Sequence, residues 1–286
     1  MTLAGVALVA KPAGPTSHDV VDVVRRVFGV RRIGHLGTLD PFAEGLLVLV
    51  VGRATRLAPF AAGWTKAYEG VIRLGVTTAT DDPTGEVVAS ASASGLGAAQ
   101  LQATLAGFQG GYLQHPPAYS AVKIAGERAY RRARRGEVVA PAARRVEIRT
   151  LELLDYAAPD LRFRATVGAG TYLRSLARDI GAALGCGGHL FQLRRTAVGP
   201  FRLDQAVPPD AVVVAGLRDP AVLVDGLARR ELDGAEREAA VHGRAVVAGS
   251  AMPETGSVAL FAGDLLVAVA ERAGEVLKPR VVVVEA

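Results

Sequence analysis

A single aspartate, Asp40, lies in the glycine-rich stretch IGHLGTLDPFAEGLLVLVVG, residues 33–52. An Asp-Pro pair in such a loop usually only turns the chain. A lone carboxylate fixed at the end of a rigid strand can also act as a nucleophile or an electrostatic stabiliser, if a cation keeps it ionised. We therefore take Asp40 as a candidate catalytic group. We expect the glycines of this loop to let a ligand approach it: Gly34, Gly37 and Gly45.

Other catalytic and cofactor signatures are missing from the sequence. A G-x-G at residues 168–170 lacks the third glycine of a dinucleotide-binding loop, and neither a phosphate loop nor a nucleophile elbow is present. The one cysteine, Cys186, excludes an internal disulfide, and the five histidines do not have metal-ligand spacing. We predict no metal and no cofactor, and the single cysteine favours a cytoplasmic location.

Basic residues are concentrated in one segment. The formal net charge is +5, yet residues 123–149 hold nine Lys and Arg against three Glu, and residues 231–286 hold five against nine Asp and Glu. A basic segment on a nearly neutral body is typical of proteins that bind a polyanion. A solvated helix face has the same charge pattern, so charge alone leaves both interpretations open.

Strands and helices that alternate along the chain would position Asp40. A strand at residues 4–10 precedes a helix that Thr16 or Ser17 can cap and Gly29 can end. The apolar run at 46–51 predicts a buried strand and is too short to span a membrane. We predict an α+β fold with a mixed, mainly antiparallel central sheet flanked by helices. After about residue 229, short strands between glycine turns predict a small β-barrel-like domain.

Five motifs follow one another along the chain: KPAGPTSHDVV (11–21), GHLGTLDPFAEGLL (34–47), KAYEGVIRLG (66–75), PPAYSAVKIAGERAYRRARRG (116–136) and GTYLRSLARDIGAALGCGGHLFQLRRTAVGPF (170–201). In this order they resemble the motifs of the TruB-type tRNA pseudouridine synthases over nearly the whole chain. The resemblance implies a pseudouridine synthase catalytic domain at 1–229, with an RNA-gripping segment at about 111–150. It also implies a PUA-like RNA-binding domain at 230–286.

The resemblance also implies an activity. The enzyme would flip uridine 55 out of the T-loop of tRNA and isomerise it to pseudouridine, with Asp40 starting the cleavage of the N–C1′ bond and C5 rejoining C1′. The order of attack at C1′ or C6 stays open. We expect tRNA, through its T-arm, as the partner of a monomer in the cytoplasm that needs no protein partner and no membrane.

Several further residues match substrate-binding positions of the family: His35, Tyr68, Tyr172, Arg174 and Leu193. The resemblance implies that Tyr68 stacks on the target base, that Arg174 pairs with Asp40 and that Leu193 closes over the base. Taken alone, Tyr68 and Leu193 are more typical of core residues. We expect the pair with Arg174 to lower the pKa of Asp40.

A basic helix is predicted over residues 127–135, and its segment supplies candidates for contacts with the RNA backbone: Lys123, Arg128, Arg131, Arg132, Arg134 and Arg135. The catalytic loop departs from the family at Leu36, Phe42 and Glu44, which puts its fine RNA contacts in doubt. We expect Glu44 to point away from the RNA. Two alternatives stay open: a synthase with another RNA target, such as an RNA-guided relative, and an RNA-binding or RNA-folding protein whose catalysis is incidental.

Overall fold

A nine-stranded sheet runs through the larger part of the protein. The computed structural model describes residues 3–119, 122–124, 126–129, 132, 135, 137, 139, 141–249 and 252–285. The strands of this sheet are β1 (Gly5–Lys11), β2 (Ile33–His35), β3 (Glu44–Val51), β4 (Lys66–Leu74), β7 (Gly110–Gln114), β10 (Arg144–Ala157), β11 (Asp160–Val167), β12 (Gly188–Val198) and β13 (Phe201–Arg202). Two hairpins stand apart from it: β5 (Val76–Thr78) with β6 (Val87–Ser90), and β8 (Lys123–Ile124) with β9 (Glu127–Arg128).

The order of the strands is β1-β3-β12-β4-β11-β10-β7, with β2 beside β3 and β13 beside β12. Only β12 and β3 pair in parallel; the other pairs of this sheet are antiparallel. The predicted mixed, mainly antiparallel sheet is therefore confirmed.

Helices pack on the sheet, and the helix predicted between Thr16 and Gly29 is confirmed. They are α1 (Ser17–Phe28), α2 (Ala98–Gly107) and α3 (Leu173–Ala183), with a 3₁₀-helix at Gly52–Ala61. Thr16 caps α1 in a reciprocal capping box with Asp19, and Gly29 ends this helix in the left-handed conformation that glycine favours. No described helix is long and apolar enough to cross a membrane.

Strand β3 is buried on both faces, which explains its unbroken apolar sequence. Leu46, Val48 and Val50 pack in one core cluster with β1 and the 3₁₀-helix, and the residues between them pack against α1. The loop that carries Asp40 therefore leads into one of the most buried strands of the molecule.

The C-terminal part forms a second sheet of five strands in the order β14-β16-β17-β18-β15. These are β14 (Ala228–Glu231), β15 (Val246–Val247), β16 (Ser257–Ala262), β17 (Leu265–Ala273) and β18 (Val276–Val282), and α4 (Gly234–Val241), which we did not predict, packs on them. Phe261 and Leu266 share a core cluster with β1 and β3. Arg56 donates hydrogen bonds to the carbonyls of Val282 (3.1 Å) and Arg280 (3.2 Å).

The predicted basic helix is wrong at its first residues. Glu127 and Arg128 form strand β9, because Gly126 takes a left-handed conformation (φ 87°) and turns the chain into a hairpin with β8. Ala129 and Arg132 are helical, as predicted.

Candidate active site

Asp40 and Arg174 form an ion pair between the loop before β3 and the first turn of α3. Nε of Arg174 lies 2.9 Å from Oδ2 of Asp40, and Nη2 donates to Oδ1 at 3.3 Å. The Arg174 side chain is 6% exposed and that of Asp40 is 34% exposed. A buried cation thus holds a carboxylate that stays open to a ligand.

Arg174 is fixed from the opposite side by three further groups. Its Nη1 donates to the carbonyl of Thr80 (3.0 Å) and its Nη2 to the carbonyl of Tyr119 (2.8 Å). Asp82 lies 3.4 Å from Nη1 and accepts a hydrogen bond from the backbone N–H of Thr84. Asp82 therefore positions the guanidinium that in turn positions Asp40.

The pKa of Asp40 lies above its ordinary value. Burial is the main cause; Arg174 opposes it, and the Asp82 carboxylate adds to it. The expected lowering by Arg174 is present as a contribution, but the prediction that the pKa falls is wrong because desolvation outweighs the ion pair.

Two groups from the first motif hold the loop on either side of Asp40. The hydroxyl of Ser17 accepts from the backbone N–H of Leu39 (2.8 Å) and lies 2.9 Å from its carbonyl oxygen. The buried ammonium of Lys11 donates to the carbonyls of Ala43 (2.6 Å) and Pro41 (3.3 Å). Burial lowers the pKa of Lys11 to about 8. Lys11 thus supports the loop and does not face a substrate.

Arg195 holds the two ends of the same loop. Its guanidinium donates to the carbonyls of Leu46 (2.7 Å), Gly37 (3.0 Å) and Thr38 (3.3 Å), and the residue is 1% exposed. All three nitrogens are used on backbone oxygens. Because these carbonyls lie before and after Asp40, Arg195 fixes the shape of the loop.

An apolar cluster lies beside the ion pair. Tyr68 on β4 and Leu193 on β12 are 6% and 7% exposed, and both pack in the cluster that contains Leu39 and Ala43 of the loop. Leu193 pairs with Gly70, two residues after Tyr68, so the two side chains lie on the same face of the sheet. The structure therefore places these two predicted residues on the face of the sheet that packs against the Asp40 loop.

Tyr172 and His35 lie at the ends of elements next to the pair. Tyr172 precedes α3, where Gln114 bonds its backbone N–H (2.8 Å) and its carbonyl (3.1 Å), and Arg144 lies over its ring at 4.8 Å. Nδ1 of His35 accepts from the backbone N–H of Gly37 (3.3 Å), and burial lowers the pKa of this histidine. The lowered pKa favours the neutral imidazole, and the bond to Nδ1 favours the tautomer with the proton on Nε2.

Comparison with known proteins gives one family. A model of the TruB family pseudouridylate synthase (N terminal domain) matches residues 25–173, and a model of the tRNA pseudouridylate synthase B C-terminal domain matches 174–219. A tRNA pseudouridine synthase B of Mycobacterium sp. (strain KMS) is 46% identical over 85% of this chain and 84% of its own length. That of Thermobifida fusca (strain YX) is 46% identical over 91% of both.

This chain belongs to the TruB family of pseudouridylate synthases.

Solved structures confirm the predicted fold. A chain of the archaeal box H/ACA sRNP Nop10-Cbf5 complex superposes with a TM-score of 0.74 over 99% of this chain and 87% of its own, at 23% identity. A chain of a Cbf5-Nop10-Gar1 complex gives 0.74 over 98% and 85%, at 26% identity. At such identities the likeness concerns the fold.

The three loop residues that depart from the family's pattern, Leu36, Phe42 and Glu44, each have neighbours within the protein. Leu36 packs in the core cluster shared with the C-terminal sheet, and Phe42 packs against the cluster of Tyr68. Glu44 pairs with Arg194 at 3.6 Å, and both side chains are about half exposed. The acidic side chain is thus turned toward a cation of β12.

Two of the three loop glycines lie close to other parts of the protein. A Cβ on Gly45 would lie 2.3 Å from the carbonyl oxygen of Arg195, and one on Gly37 would lie 3.0 Å from Cε of Lys66. A Cβ on Gly34 would meet Val50 at ordinary contact distance. The expectation that the glycines admit a substrate is wrong at 37 and 45, where the space beside them is taken by the Lys66 side chain and by the backbone of Arg195. At Gly34 the expectation stays a prediction.

The RNA-backbone candidates are only partly described. Lys123 and Arg128 face each other in the β8–β9 hairpin, and their side chains, like Arg131 and Arg134, lie outside the described residues. Nε of Arg132 donates to Glu137 at 2.6 Å, and Arg135 binds both Glu127 (2.6 and 2.8 Å) and Glu137 (2.7 Å). Arg132 and Arg135 therefore have acidic partners that an RNA phosphate would have to replace.

Replacing Asp82 by Asn should move the acid limb of the activity profile of this TruB enzyme to lower pH. The expected catalytic role of Asp40 requires its ionised form, so we expect activity to fall as the pH drops through the pKa of Asp40. The Asp82 carboxylate raises that pKa, and its removal lowers it. Because Arg174 also loses an anchor, we expect the plateau of kcat/KM to fall roughly 10- to 100-fold.

The test is kcat/KM for tRNA measured from about pH 5 to pH 8 in both proteins. An acid limb that stays in place or moves to higher pH in Asp82→Asn would contradict the proposed electrostatic link.

Proposed function

We propose that this enzyme isomerises uridine 55 in the T-loop of tRNA to pseudouridine. The observation that carries the proposal is the Asp40 carboxylate, open to a ligand and held by the buried Arg174 on a loop fixed by Lys11 and Arg195. The relatives that are 46% identical are named tRNA pseudouridine synthase B, which supports tRNA as the substrate class.

The reaction needs bond cleavage and reconnection without a change of oxidation state. Asp40 starts the cleavage of N1–C1′, the base turns, C5 bonds to C1′, the hydrogen on C5 leaves as a proton and N1 gains one. Arg174 keeps the carboxylate oriented through these steps. A preorganised ion pair at the reacting group lowers the reorganisation that charge movement requires.

Base flipping must be compensated by contacts in the site. Extrusion of a nucleotide costs a few kcal/mol, and stacking on an aromatic ring such as Tyr68 returns ~1–3 kcal/mol. Tyr68 is 6% exposed in the free protein, so the side chains of its cluster must move for a base to stack there. We assign Leu193 to closing over the base, and Tyr172 and His35 to contacts with the RNA.

The remaining assignments concern the rest of the chain. We propose that residues 1–229 are the catalytic domain, that the segment at about 111–150 grips the T-arm and that 230–286 form a PUA-like RNA-binding domain. The enzyme acts as a cytoplasmic monomer without a protein partner. The matches at 46% identity favour this over an RNA-guided enzyme, since the Cbf5 complexes match at 23–26%.

Release of tritium from a tRNA transcript labelled at uridine C5 tests the proposal. Wild-type enzyme should release the label of one uridine per transcript, and a transcript with cytidine at position 55 should release none. Equal release from both transcripts would point to another target uridine. Tight binding of tRNA without release of tritium from either transcript would favour the alternative function, an RNA-binding or RNA-folding protein whose catalysis is incidental.

The double variant Arg132→Ala/Arg135→Ala should raise KM for tRNA and flatten its salt dependence. Each lost phosphate contact lowers the slope of log K against log salt by about 0.7–0.9, so we expect a decrease of up to about 1.8. Glu137→Gln is the matched control: it removes the carboxylate that binds Arg132 and one of the two carboxylates that bind Arg135, and it should lower KM. The test is KM for tRNA measured at several salt concentrations. If the slope of log KM against log salt is unchanged in the double variant, these arginines are merely solvated.

A further inference from the structure

The assignments above give no role to Lys66, a cation close to the Asp40 loop. It is the first residue of β4, two positions before Tyr68, so both side chains lie on the face of the sheet that packs against the Asp40 loop. Its stem reaches the loop, because a Cβ on Gly37 would lie 3.0 Å from Cε and 3.9 Å from Nζ of Lys66. Asp40 is three positions after Gly37, so their Cα atoms are at most about 11 Å apart.

The ammonium of Lys66 has N–H donors without a partner among the described residues. Its one hydrogen bond among the described residues goes to the carbonyl of Trp64 at 3.2 Å, and no described carboxylate lies within ion-pair distance of it. Arg195, by contrast, uses all its nitrogens on the carbonyls of the loop. A buried cation, Arg195, and a half-buried one, Lys66, therefore meet at Gly37. A lysine ammonium has three donors, and only one of those of Lys66 has a partner among the described residues.

Two neighbouring cations without an anion are unfavourable for the free protein. Burial and the charge of Arg195 both lower the pKa of Lys66. A bound anion would relieve this repulsion, and a lysine ammonium binds a phosphate as a point charge. The substrate proposed above carries phosphates on both sides of the nucleotide that reaches Asp40.

We propose that Lys66 binds a phosphodiester of the RNA at or next to the target nucleotide. The inference rests on the proposed function for the identity of the RNA, while the phosphate site itself is tested by binding alone. In this role Lys66 holds the backbone while the base turns in the site, and it does not take part in the bond changes.

The experiment compares Lys66→Gln and Lys66→Arg with wild type. Glutamine keeps a donor for Trp64 but loses the charge, so we expect the Kd for the tRNA transcript to rise about tenfold. The slope of log Kd against log salt should fall by about 0.7–0.9. Lys66→Arg should keep the wild-type slope. Arg26→Gln removes one exposed charge from the far end of α1 and serves as the control.

A second measurement separates binding from support of the loop. At saturating enzyme, single-turnover tritium release by Lys66→Gln should stay within about threefold of wild type, because a binding contact acts mainly on Kd. A wild-type salt slope in Lys66→Gln would overturn the proposal, whatever its rate. If wild type releases no tritium but the slopes differ as expected, the proposed function fails and the phosphate site stands.

Discussion

Replacing Asp40 by Asn should lower turnover of tRNA by more than about 10³-fold, the scale on which loss of a reacting group acts. Asparagine keeps the size of the side chain and can still accept a hydrogen bond from Arg174, but its amide is a poor nucleophile. The loop should keep its shape, because Lys11, Ser17 and Arg195 hold its backbone and none of them bonds the carboxylate.

The kinetic pattern distinguishes this role from a structural one. A group that acts in the transition state affects kcat, whereas a group that only binds substrate affects KM. We expect the Kd of the Asp40→Asn protein for tRNA to stay within about threefold of wild type, since this carboxylate adds no attraction for a polyanion. Turnover near the wild-type value in a folded variant would remove Asp40 from the mechanism.

Replacing Arg195 by Met should lower the free energy of unfolding by about 3 kcal/mol, because three carbonyls lose their donor at a buried site. Each unsatisfied group costs about 1–3 kcal/mol, and removal of the buried charge offsets part of the sum. A loop that loses its two-ended support should also misplace Asp40, which lowers kcat about 10²-fold for a shift near 1 Å.

Arg194→Met is the matched control for this prediction. Arg194 is the neighbouring residue, more than half exposed, and it pairs with Glu44. Loss of such a surface pair changes stability by less than about 1 kcal/mol. Denaturant unfolding of both variants gives the comparison. Equal effects of the two substitutions would show that the carbonyls around Arg195 find other donors.

Local patterns in the sequence predict much of the fold. The capping box at Thr16, the glycine after α1 and the apolar run of β3 each depend on a few adjacent residues, and the structure confirms them. Helix α4 and the β8–β9 hairpin were missed. The GERAYRRARRG stretch has helix-forming residues, but its first residue, the left-handed Gly126, lies in the turn of the hairpin.

The candidate site is only partly readable from the sequence. The Asp40–Arg174 pair joins residues 134 positions apart, and the family resemblance, not spacing, predicts it. Asp82 and Arg195 were missed because they act through other residues. Asp82 lies in the stretch DDP and Arg195 in the stretch QLRR, and neither pattern predicts which group the side chain will bond.

The glycines show the same limit. Their conformational freedom can be read from the sequence, but what fills the space beside them cannot. Gly45 was expected to face a ligand and instead faces the backbone of Arg195. Its role is to let β3 and β12 pair in parallel at the point where the Asp40 loop ends.

The pseudouridine content of tRNA after a single turnover tests the central claim most directly. Wild-type protein and Asp40→Asn are each given in excess over a tRNA transcript, so that all the RNA is bound, and the digested RNA is analysed for nucleosides. We predict one pseudouridine per tRNA, at position 55, with wild type and none with the variant. Pseudouridine formed by Asp40→Asn at the wild-type rate, or none formed by wild type on fully bound tRNA, would contradict the account.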